Sequence, residues 1–463
     1  MKRSVLALPV VLALAIVGVE RAGGMAALPV CDPDNGAITL PPGLCATVVA
    51  EGLGYARHIA VAANGDLYVA LRNGGASGRG ARGAAPGAAA GAAPAPAPAA
   101  APGVVALRDT NGDGKMDVTE KFGDKSTNAV VLHNGYLYIG HTTGIERFKM
   151  TPGELKPTGP AETVVEGLPV ANPHQDKGLA FDGRGSVYIN VGAPSNACQG
   201  VLVPDPAAAG KTMFQARDRQ VGVVGLDPCP LLEQHGGIWK FDENKLNQKQ
   251  TDGTRYATGL RQMPGIAWQD GALYIAMNGR DQIDTLWKDN FTAEDNDTRV
   301  SESLYRVETA GQNFGWPFCF HDMTANKMLL NPEYGGDGKT VGRCAEFKPP
   351  IAVFPPHWAP VDLMFYTGTM LPQKYRGGAF IAFHGSWNRT AGPQNGYTVV
   401  FQPFAAGKPS GKYEVFADGF EGPTPPRAQN NAVYRPDGVA QGPDGSLYIT
   451  DSVKGRVWRV MTK

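Results

Sequence analysis

Short apolar runs alternate with turn-forming residues along this chain, and one phrase of this kind recurs. In its regular copies an apolar strand is followed by an Asn-Gly, Asp-Gly or similar turn, and then by a strand that carries tyrosine between aliphatic residues. Glycine in the turn permits the positive φ that two-residue hairpins need. The regular copies occupy residues 58–71, 129–140, 178–192, 265–279 and 438–451, and a more divergent copy occupies residues 361–385. The pattern therefore predicts six β-hairpins at irregular spacing.

We interpret these hairpins as an all-β fold, a six-bladed β-propeller whose domain covers residues 28–463. Each hairpin would form the inner half of a four-stranded sheet, and the sheets would be arranged around an axis. About 70 residues per blade exceed the roughly 40–45 of compact propeller repeats, so long loops are expected to build the functional site. A β-sandwich with unrelated hairpins is the alternative architecture.

The composition supports a chain rich in turns and poor in long helices. Glycine (60) and proline (37) together make up 97 of the 463 residues. Lys+Arg and Asp+Glu both number 43, so no global basic field favours nucleic acid as a partner. Residues 82–103 are rich in alternating alanine and proline, which cannot form a packed core. They predict a disordered insertion within the propeller.

The N-terminus has the pattern of an export signal. Met1-Lys2-Arg3 precede an apolar stretch that is short for a membrane span. We expect a signal peptide over residues 1–24, with an uncertain cleavage site, and a periplasmic or secreted protein without stable membrane insertion. An uncleaved anchor is the alternative.

All six cysteines follow this signal, and an exported chain enters an oxidising compartment where disulfides form. Sequence alone does not fix their pairing. Proximity along the chain favours the pairs Cys31–Cys45, Cys198–Cys229 and Cys319–Cys344.

An acidic stretch, DTNGDGKMDVTE at Asp109–Glu120, matches a calcium-binding loop of the EF-hand type position by position. Gly114 supplies the sharp turn. The predicted ligands are the side chains of Asp109, Asn111, Asp113, Asp117 and Glu120 and the backbone carbonyl of Lys115. Strand-like sequence on both sides favours a structural calcium site between strands, and an acidic surface turn is the alternative.

His174 stands directly before the third predicted hairpin, where a loop opens at the end of a sheet. Loops held by a rigid scaffold often carry catalytic side chains. Histidine ordinarily titrates near neutral pH, which suits a general base. A purely structural histidine is the alternative.

Polar and glycine-rich segments stand between the hairpins, at His174-Gln175, Gly259–Gln262, Gly279–Gln282, Asn313–Pro317, Gly377-Gly378, Phe383–Arg389 and Arg435-Pro436. In this order they resemble the soluble sugar dehydrogenases that depend on pyrroloquinoline quinone (PQQ), the glucose/sorbosone dehydrogenase family, and look closest to its sorbosone-dehydrogenase-like branch. The resemblance covers most of the mature chain. It implies a six-bladed propeller with PQQ in a polar axial cleft, a sugar substrate, and an external electron acceptor, either a cytochrome or a quinone.

The resemblance also implies roles for individual residues. His174 would take the hydroxyl proton while hydride leaves the sugar carbon, and Arg261 would stabilise charge on the quinone oxygen. A calcium ion would bridge the cofactor to the backbone carbonyls of Gly279 and Arg280 and act as a Lewis acid. The other residues expected to bind the cofactor are Gln175, Gln262, His384, Arg389 and Arg435. Ordinary ion pairing is the alternative for the arginines.

The chain departs from the best-known glucose-oxidising members at several positions. Gln262 stands where asparagine is expected, Phe383–Arg389 contains no lysine where the family has a cofactor-binding one, and His357-Trp358 replaces a more typical substrate-side segment. These departures concern substrate choice and cofactor affinity. For Trp316 and Trp387, packing in the core is the simpler interpretation.

Two other classes of function remain open. A calcium-dependent lactone hydrolase on a similar propeller requires carboxylates and amides that converge on one axial metal, whereas the acidic cluster of this chain is a linear loop. A propeller without catalytic activity that binds glycans or proteins is also compatible with the sequence.

Overall fold

The computed structural model of the protein describes residues 29–73, 103–171, 173–205, 210–428 and 431–463. The predicted signal peptide over residues 1–24, and all but the last residue of the predicted insertion over 82–103, lie outside the described residues. Both stay predictions.

The first half of the chain forms one N-terminal strand and three blades. The N-terminal strand is β1 (Leu44–Ala50). Blade 1 consists of β2 (Ala56–Val61), β3 (Leu67–Leu71), β4 (Gly103–Arg108) and β5 (Val118–Phe122). Blade 2 consists of β6 (Thr127–His133), β7 (Tyr136–His141), β8 (Gly144–Lys149) and β9 (Glu162–Val165). Blade 3 begins with β10 (Leu179–Phe181) and β11 (Ser186–Val191), receives an inserted hairpin of β12 (Gly200–Pro204) and β13 (Thr212–Ala216), and is completed by β14 (Gly237–Asp242) and β15 (Thr254–Thr258).

Blade 4 carries the largest insertions. Its inner strands are β16 (Gln262–Gln269) and β17 (Ala272–Asn278), followed by the short helices α1 (Ile283–Leu286) and α2 (Ala293–Thr298) and by β18 (Glu302–Val307). Then come β19 (Gln312–Asn313), which pairs with β15, the hairpin of β20 (Cys319–Asp322) and β21 (Lys327–Leu330), and the outer strand β22 (Ala352–Phe354).

The remaining strands form blades 5 and 6. Blade 5 consists of β23 (Pro360–Phe365), β24 (Ala379–His384), β25 (Tyr397–Gln402), a small hairpin of β26 (Phe404–Ala405) and β27 (Lys408–Pro409), and β28 (Glu414–Ala417). Blade 6 consists of β29 (Pro436–Gln441), β30 (Leu447–Asp451) and β31 (Val457–Thr462). Short 3₁₀ helices span Pro230–Glu233, Gln250–Asp252, Pro332–Tyr334, Gly342–Glu346 and Gln373–Tyr375.

The ring is closed by its first strand. β1 pairs antiparallel with β31, with Leu44 opposite Thr462, and so becomes the outer strand of blade 6. This pairing joins the two ends of the described chain in one sheet and closes the ring of blades.

The predicted architecture is confirmed. Each of the predicted hairpins is the inner strand pair of a blade: β2–β3, β6–β7, β10–β11, β16–β17, β23–β24 and β29–β30. The disulfides join the cysteines that proximity favoured, namely Cys31–Cys45, Cys198–Cys229 and Cys319–Cys344.

Apolar side chains fill the spaces between neighbouring blades. On β10 and β11 of blade 3, Leu179 and Val187 pack with residues of blade 2, whereas Ala180 and Tyr188 pack with residues of blade 4. Successive residues of a strand point to opposite faces of its sheet. Because a blade is covered on both faces, its inner strands are apolar throughout, which explains the continuous apolar runs in the sequence.

The inner strands approach one another closely around the axis. A Cβ added at Gly178 would overlap the carbonyl oxygen of Pro264, and one added at Gly438 would lie 2.7 Å from the carbonyl oxygen of Arg57. Glycine at these positions lets neighbouring inner strands come together.

Within the described part of the chain, no helix is long and apolar enough to cross a membrane.

Candidate active site

The topology gathers polar residues at one end of the axis. Every inner strand begins there and its partner strand ends there, as the pairings Thr127 with His141 and Gln262 with Asn278 show. The loops that follow the partner strands therefore rise over the same end. These loops carry the inserted hairpin of blade 3 and the helices of blade 4.

A buried ion-pair network occupies this end of the axis. The Arg57 guanidinium lies 3.1 Å from Asp176 and 2.5 Å from Asp437, and its Nε donates to Asn128 at 2.9 Å. Arg72 also pairs with Asp176, at 3.0 Å. Residues from three other blades thus converge on Arg57, which connects these blades at the axis.

Lys177 is a buried cation beside this network. Its side chain is fully buried, and its Nζ finds no hydrogen-bond partner in the part of the chain that the structure describes. Burial lowers the pKa of the Lys177 ammonium from 10.5 to about 8. The folded state consequently disfavours the charged form that lysine carries at neutral pH.

We expect Lys177→Met to raise the free energy of unfolding of the apo-protein at pH 7. Because the folded pKa is about 8 rather than 10.5, charging the buried amine costs up to about 3 kcal/mol. Below pH 8 the lysine is protonated in both the folded and the unfolded protein, so folding bears the whole cost of the buried charge. Between pH 8 and 10.5 only the lysine of the unfolded protein keeps its proton, so the stability of the wild type rises with pH. Urea denaturation at pH 7 and pH 10 measures the gain, which should shrink at the higher pH.

The exposed Lys339 supplies the control for this prediction. Lys339→Met should change stability by less than about 0.5 kcal/mol at either pH. A stabilisation by Lys177→Met that is equal at pH 7 and pH 10 would contradict the charge explanation.

His174, the predicted base, is buried in the loop before β10. Its Nδ1 lies 2.5 Å from the carbonyl oxygen of Ala193, and the Ala193 N–H donates to the carbonyl oxygen of Arg261 at 2.8 Å. Ala193 thus links the His174 ring to the backbone of the residue that carries the predicted cation. A Cβ added at Gly192 would lie 2.9 Å from His174 Cβ and 2.8 Å from Gln262 Oε1, so these three residues pack closely. The buried Gln262 Oε1 accepts no hydrogen bond from the described residues.

The Arg261 side chain is buried and held by three acceptors. It donates to the Gly279 carbonyl at 2.6 Å and to Asn196 Oδ1 at 2.7 Å, and it pairs with Asp281 at 2.5 Å. The Gly279 N–H donates to Glu302 at 2.8 Å. Burial raises the pKa of the Glu302 carboxyl to about 7, despite the amides of Gly279 and Ala359 that donate to it.

The guanidinium of Arg280 lies in a buried ion pair. Its two terminal nitrogens donate to the Glu333 carboxylate at 2.6 and 2.9 Å, and Asn331 accepts a further bond at 2.9 Å. Trp287 also donates to Glu333, at 2.9 Å. This side chain thus joins β17 to the blade 4 insertion, and a cofactor contact of Arg280 stays a prediction.

Arg435 and His384 meet where blades 5 and 6 adjoin. Arg435 Nε donates to the His384 carbonyl at 2.8 Å and its Nη2 to the Gly385 carbonyl at 3.1 Å. His384 Nε2 lies 2.7 Å from Ser452 Oγ and 3.5 Å from Asp437. Burial lowers the pKa of the Arg435 guanidinium. Within the described residues the side-chain hydrogen bonds of Arg435 go to backbone carbonyls, and its guanidinium carbon lies 5.8 Å from the centre of the Tyr397 ring. No carboxylate is hydrogen-bonded to this cation there, so it can still bind an anionic group.

The other two predicted cofactor residues are Arg389 and Gln175. Arg389 bonds the Asp297 carbonyl at 3.1 Å and pairs with the Asp297 carboxylate at 3.4 Å, which anchors the loop after β24 to helix α2. Gln175 is half-buried and follows His174 directly.

Of the predicted core tryptophans, Trp316 is buried and donates to the Asn196 carbonyl at 2.7 Å, whereas Trp387 is half-buried.

The predicted calcium loop lies between β4 and β5. Asp109 accepts the N–H groups of Gly112 and Gly114 at 2.7 and 2.8 Å. Glu120 lies on β5 and pairs with Lys156 at 2.7 Å. Asn111 and Asp113 accept backbone N–H groups within the loop. The Lys115 ammonium donates to the Val48 carbonyl, and the Asp117 carboxylate accepts from the Thr110 hydroxyl. The described residues contain no group of three or more His, Cys, Asp or Glu side chains that could hold a metal ion. The calcium ligands stay a prediction.

The sequence interpretation missed the axial residues Arg57, Asn128, Lys177 and Asp437. Each stands directly before one of the regular hairpin copies. A signal was therefore present, because alignment of the hairpin copies puts these polar residues in one column. Asp176, which pairs with Arg57, adjoins Lys177.

Comparison with known proteins agrees with the fold. Residues 233–463 match the TrAA12-like family. Among solved structures, the chain is similar to the holo form of the pyranose dehydrogenase PQQ domain from Coprinopsis cinerea, with a TM-score of 0.63 and 17% identity over 92% of this chain and 97% of the other. A calcium structure of the Trichoderma reesei carbohydrate-active enzyme family AA12 gives a TM-score of 0.67 and 17% identity over 95% and 99% of the two chains.

Curated relatives match shorter stretches. An uncharacterized protein of Borreliella burgdorferi is 26% identical over 218 residues, 46% of this chain and 50% of the relative. A pyrroloquinoline quinone-dependent pyranose dehydrogenase of Coprinopsis cinerea is 27% identical over 175 residues, 31% of this chain and 22% of the relative. The matches thus span half or less of these relatives. Together with the family match, they confirm the predicted resemblance.

Proposed function

We propose, on the premise that this chain resembles the soluble PQQ-dependent sugar dehydrogenases, that it is an oxidoreductase that oxidises a pyranose or another aldose with PQQ as cofactor. One observation carries the proposal. His174 and Arg261, which are 87 positions apart in the sequence, are joined through Ala193 at the axial end of the propeller. Ala193 contacts the backbone carbonyl of Arg261, so it links the His174 ring to the main chain of the residue that carries a fixed cation. A general base and a fixed cation are the two groups that hydride abstraction from an alcohol requires.

The residues at this end fit a cofactor that carries carboxylates. The side-chain hydrogen bonds of Arg435 within the described residues go to backbone carbonyls, and Gln262 Oε1 is buried without a donor from those residues. Gly192 lacks a Cβ where one would crowd His174 and Gln262. Cations and unfilled polar atoms around a glycine are the features expected of a site for a planar anionic group. Arg261, Gln262 and Arg435 would hold PQQ, which supplies a two-electron acceptor when bound.

His174 would act as the base through the nitrogen that Ala193 does not contact. A carbonyl accepts hydrogen bonds only, so its contact with Nδ1 requires the proton there and leaves Nε2 as the basic nitrogen. Nε2 would take the proton of the sugar hydroxyl as hydride leaves the carbon. The contact also fixes the orientation of the ring, which a base needs in order to meet its substrate.

Arg261 would hold positive charge in a fixed position without rearrangement. Its terminal nitrogens are bound by Gly279, Asn196 and Asp281, so the guanidinium is already oriented before any substrate binds. Oriented charges act most strongly where water is excluded, and the Arg261 side chain is 5% exposed. Its assigned role is to stabilise negative charge that develops on the acceptor.

Calcium is the second cofactor of the proposal. The Gly279 carbonyl is bonded to Arg261, and a carbonyl oxygen has a second lone pair that a hard cation can use. The carbonyls of Gly279 and Arg280 would bind a calcium ion there, and the ion would supply Lewis-acid polarisation of the quinone. The loop Asp109–Glu120 would bind a separate, structural calcium ion.

Asp113→Ala tests the structural calcium site. If the loop binds calcium, the ion stabilises the folded protein in proportion to the logarithm of its concentration above the dissociation constant. We expect the variant to gain at least about 2 kcal/mol less than the wild type on addition of calcium at 100 times the dissociation constant. Thermal denaturation with calcium and with chelator measures this gain. An unchanged calcium response would contradict the assignment, and Asp337→Ala, on an exposed turn, is the control.

We further propose that the protein is exported, to the periplasm or outside the cell, and passes its electrons to a cytochrome or a quinone. The apolar stretch after Met1-Lys2-Arg3 and the three disulfides support export. A sorbosone-type substrate is the narrower form of the proposal, since the sequence looks closest to that branch. Fractionation of expressing cells, with N-terminal sequencing of the protein, tests export.

The activity is tested by reconstitution. Purified apo-protein is incubated with PQQ and calcium and assayed with a panel of pyranoses, sorbosone and lactones, with a dye as the electron acceptor. Dye reduction that needs PQQ and an aldose or sorbosone supports the proposal. Lactone hydrolysis that needs calcium and no PQQ would replace it with a hydrolase, and binding of PQQ with no oxidation of any sugar would favour a propeller without catalytic activity.

The structure favours the oxidoreductase over the hydrolase. A hydrolase of this kind needs carboxylates that converge on an axial metal, whereas here Asp176 and Asp437 are bound to Arg57 and Asp362 lies 3.6 Å from His58. Asp176 and Asp437 are thus already engaged by the Arg57 guanidinium.

A further inference from the structure

A small cavity adjoins Gly279 and two arginines for which the sequence predicts contact with the cofactor. Its volume is about 20 Å³, and Arg261 and Arg280 both line it. A space of this size holds a single water molecule or a similarly small group, because one water needs about 10–15 Å³ by this measure. The cavity is too small for a sugar or for any part of a quinone.

Both arginines have an unused donor. The terminal nitrogens of each guanidinium already donate to acceptors. Those of Arg261 donate to Gly279, Asn196 and Asp281. Those of Arg280 donate to Asn331 and Glu333. The Nε–H groups of both find no acceptor among the described residues, and the two residues are only 4% and 3% exposed. Buried N–H groups in native proteins are almost always paired with protein or with ordered water.

Further polar groups line the same space. Ser301 and Ser303 bring hydroxyls 3.2 Å apart, and their oxygens can donate as well as accept. Val300, Trp316 and Phe320 form the apolar part of the lining. A bound group would thus meet donors on one side and an apolar wall on the other, which excludes bulk solvent.

We propose that this cavity binds one small hydrogen-bond acceptor, a water molecule or a halide ion, which accepts from both Nε–H groups. Arg261 and Arg280 are each already paired with a carboxylate, that of Asp281 and that of Glu333. The site therefore requires an acceptor rather than a net negative charge, and water and halide share that chemistry.

The bound group would connect Arg261 to the buried ion pair of Arg280 and Glu333. Arg280 then becomes a positioning residue, which fixes the Arg261 guanidinium through the shared acceptor. This consequence rests on the proposed function, in which Arg261 binds PQQ, whereas the existence of the bound group does not.

Crystals grown in sodium chloride and in sodium bromide test the site itself. Electron density within hydrogen-bond distance of both Nε atoms supports the proposal in either salt. An anomalous bromine signal at that place identifies a halide, and its absence identifies water. A cavity without density, or density bonded to neither Nε atom, overturns the proposal.

Arg280→Lys tests the positioning role. Lysine keeps the positive charge beside Glu333 but has no Nε–H in the same position. We expect the variant to bind PQQ about 10-fold more weakly, a change measured by absorbance titration in calcium, whereas Arg299→Lys, at the nearby pair with Asp322, should stay within about 2-fold.

These experiments distinguish the positioning role of Arg280 from the proposed PQQ-dependent function. An Arg280→Lys protein with wild-type melting temperature and wild-type PQQ affinity overturns the positioning role. A wild-type protein that binds no PQQ overturns the proposed function, and the crystals still decide whether the cavity is occupied. If Arg280→Lys does not fold, the crystals of the wild type carry the test.

Discussion

His174→Gln is expected to lower the rate of sugar oxidation by roughly 10²–10⁴-fold, the usual cost of removing a general base. Glutamine can still donate to the Ala193 carbonyl from its amide nitrogen, so the loop before β10 should keep its shape. It cannot take a proton at neutral pH. The affinity for PQQ should stay within about 3-fold of the wild type, because His174 acts on the sugar hydroxyl rather than on the cofactor carboxylates.

The matched control is His133→Gln. His133 pairs with Glu243 at 3.1 Å and lies at the other end of its inner strand, away from the axial site. Rapid mixing of the PQQ-loaded proteins with saturating sugar measures the first turnover. A His174→Gln protein that reacts at the wild-type rate would place the base at another residue. Equal losses in both variants would point to a general effect on folding.

Arg57→Met is expected to destabilise the protein by about 3–5 kcal/mol at pH 7, the usual effect of removing one partner of a buried ion pair. Arg57 pairs with Asp176 and Asp437, and Asp437 is completely buried. Without the arginine, two carboxylates would lie at the axis with less compensation. Burial already raises the pKa of Asp437 to about 6. At pH 5 this carboxyl is largely protonated, so the loss should be smaller there.

Lys374→Met is the control for this prediction. Lys374 pairs with Glu414 at the surface, where both side chains are more than 40% exposed, and removal of such a pair costs less than about 1 kcal/mol. Urea denaturation of the variants and the wild type at pH 7 and pH 5 gives the comparison. A loss for Arg57→Met no larger than that for Lys374→Met would contradict the role of Arg57 in joining the blades.

The inner half of every blade was predictable because its signals are local. A glycine turn such as Asn134-Gly135 fixes the hairpin, and the apolar strands beside it fix the register. The closure of the ring was not predicted. β1 and β31 are separated by almost the whole length of the chain. The sequence of β1 does not indicate which strand it pairs with.

The site was predictable to a lesser extent. The resemblance proposes His174 and Arg261 as catalytic residues, and the structure links them through the backbone of Ala193. Their catalytic roles stay a prediction. The ion pairs of Arg280 with Glu333 and of Arg389 with Asp297 span 53 and 92 positions, and such pairing depends on the folding of the blade 4 loops. An arginine in a motif and an arginine in a structural ion pair look alike in sequence.

The ion-pair network around Arg57 was not predicted from the sequence for a different reason. Arg57 and Asp437 each stand directly before a regular hairpin copy, and the copies are recognisable by their apolar residues and turns alone. The pairing follows from the geometry of the ring, which brings equivalent positions of all blades to one axis. A polar residue at such a position therefore meets the equivalent residues of other blades.

The central claim is that this propeller oxidises a sugar with PQQ at the end of the axis that holds His174 and Arg261. Single-turnover reduction of bound PQQ tests it most directly. Apo-protein is loaded with PQQ and calcium, mixed with a saturating aldose in the absence of any acceptor, and followed by absorbance. The account predicts that the bound quinone is reduced in one exponential phase whose rate saturates with sugar concentration. Bound PQQ that stays oxidised with every pyranose, other aldose and sorbosone tested would contradict it.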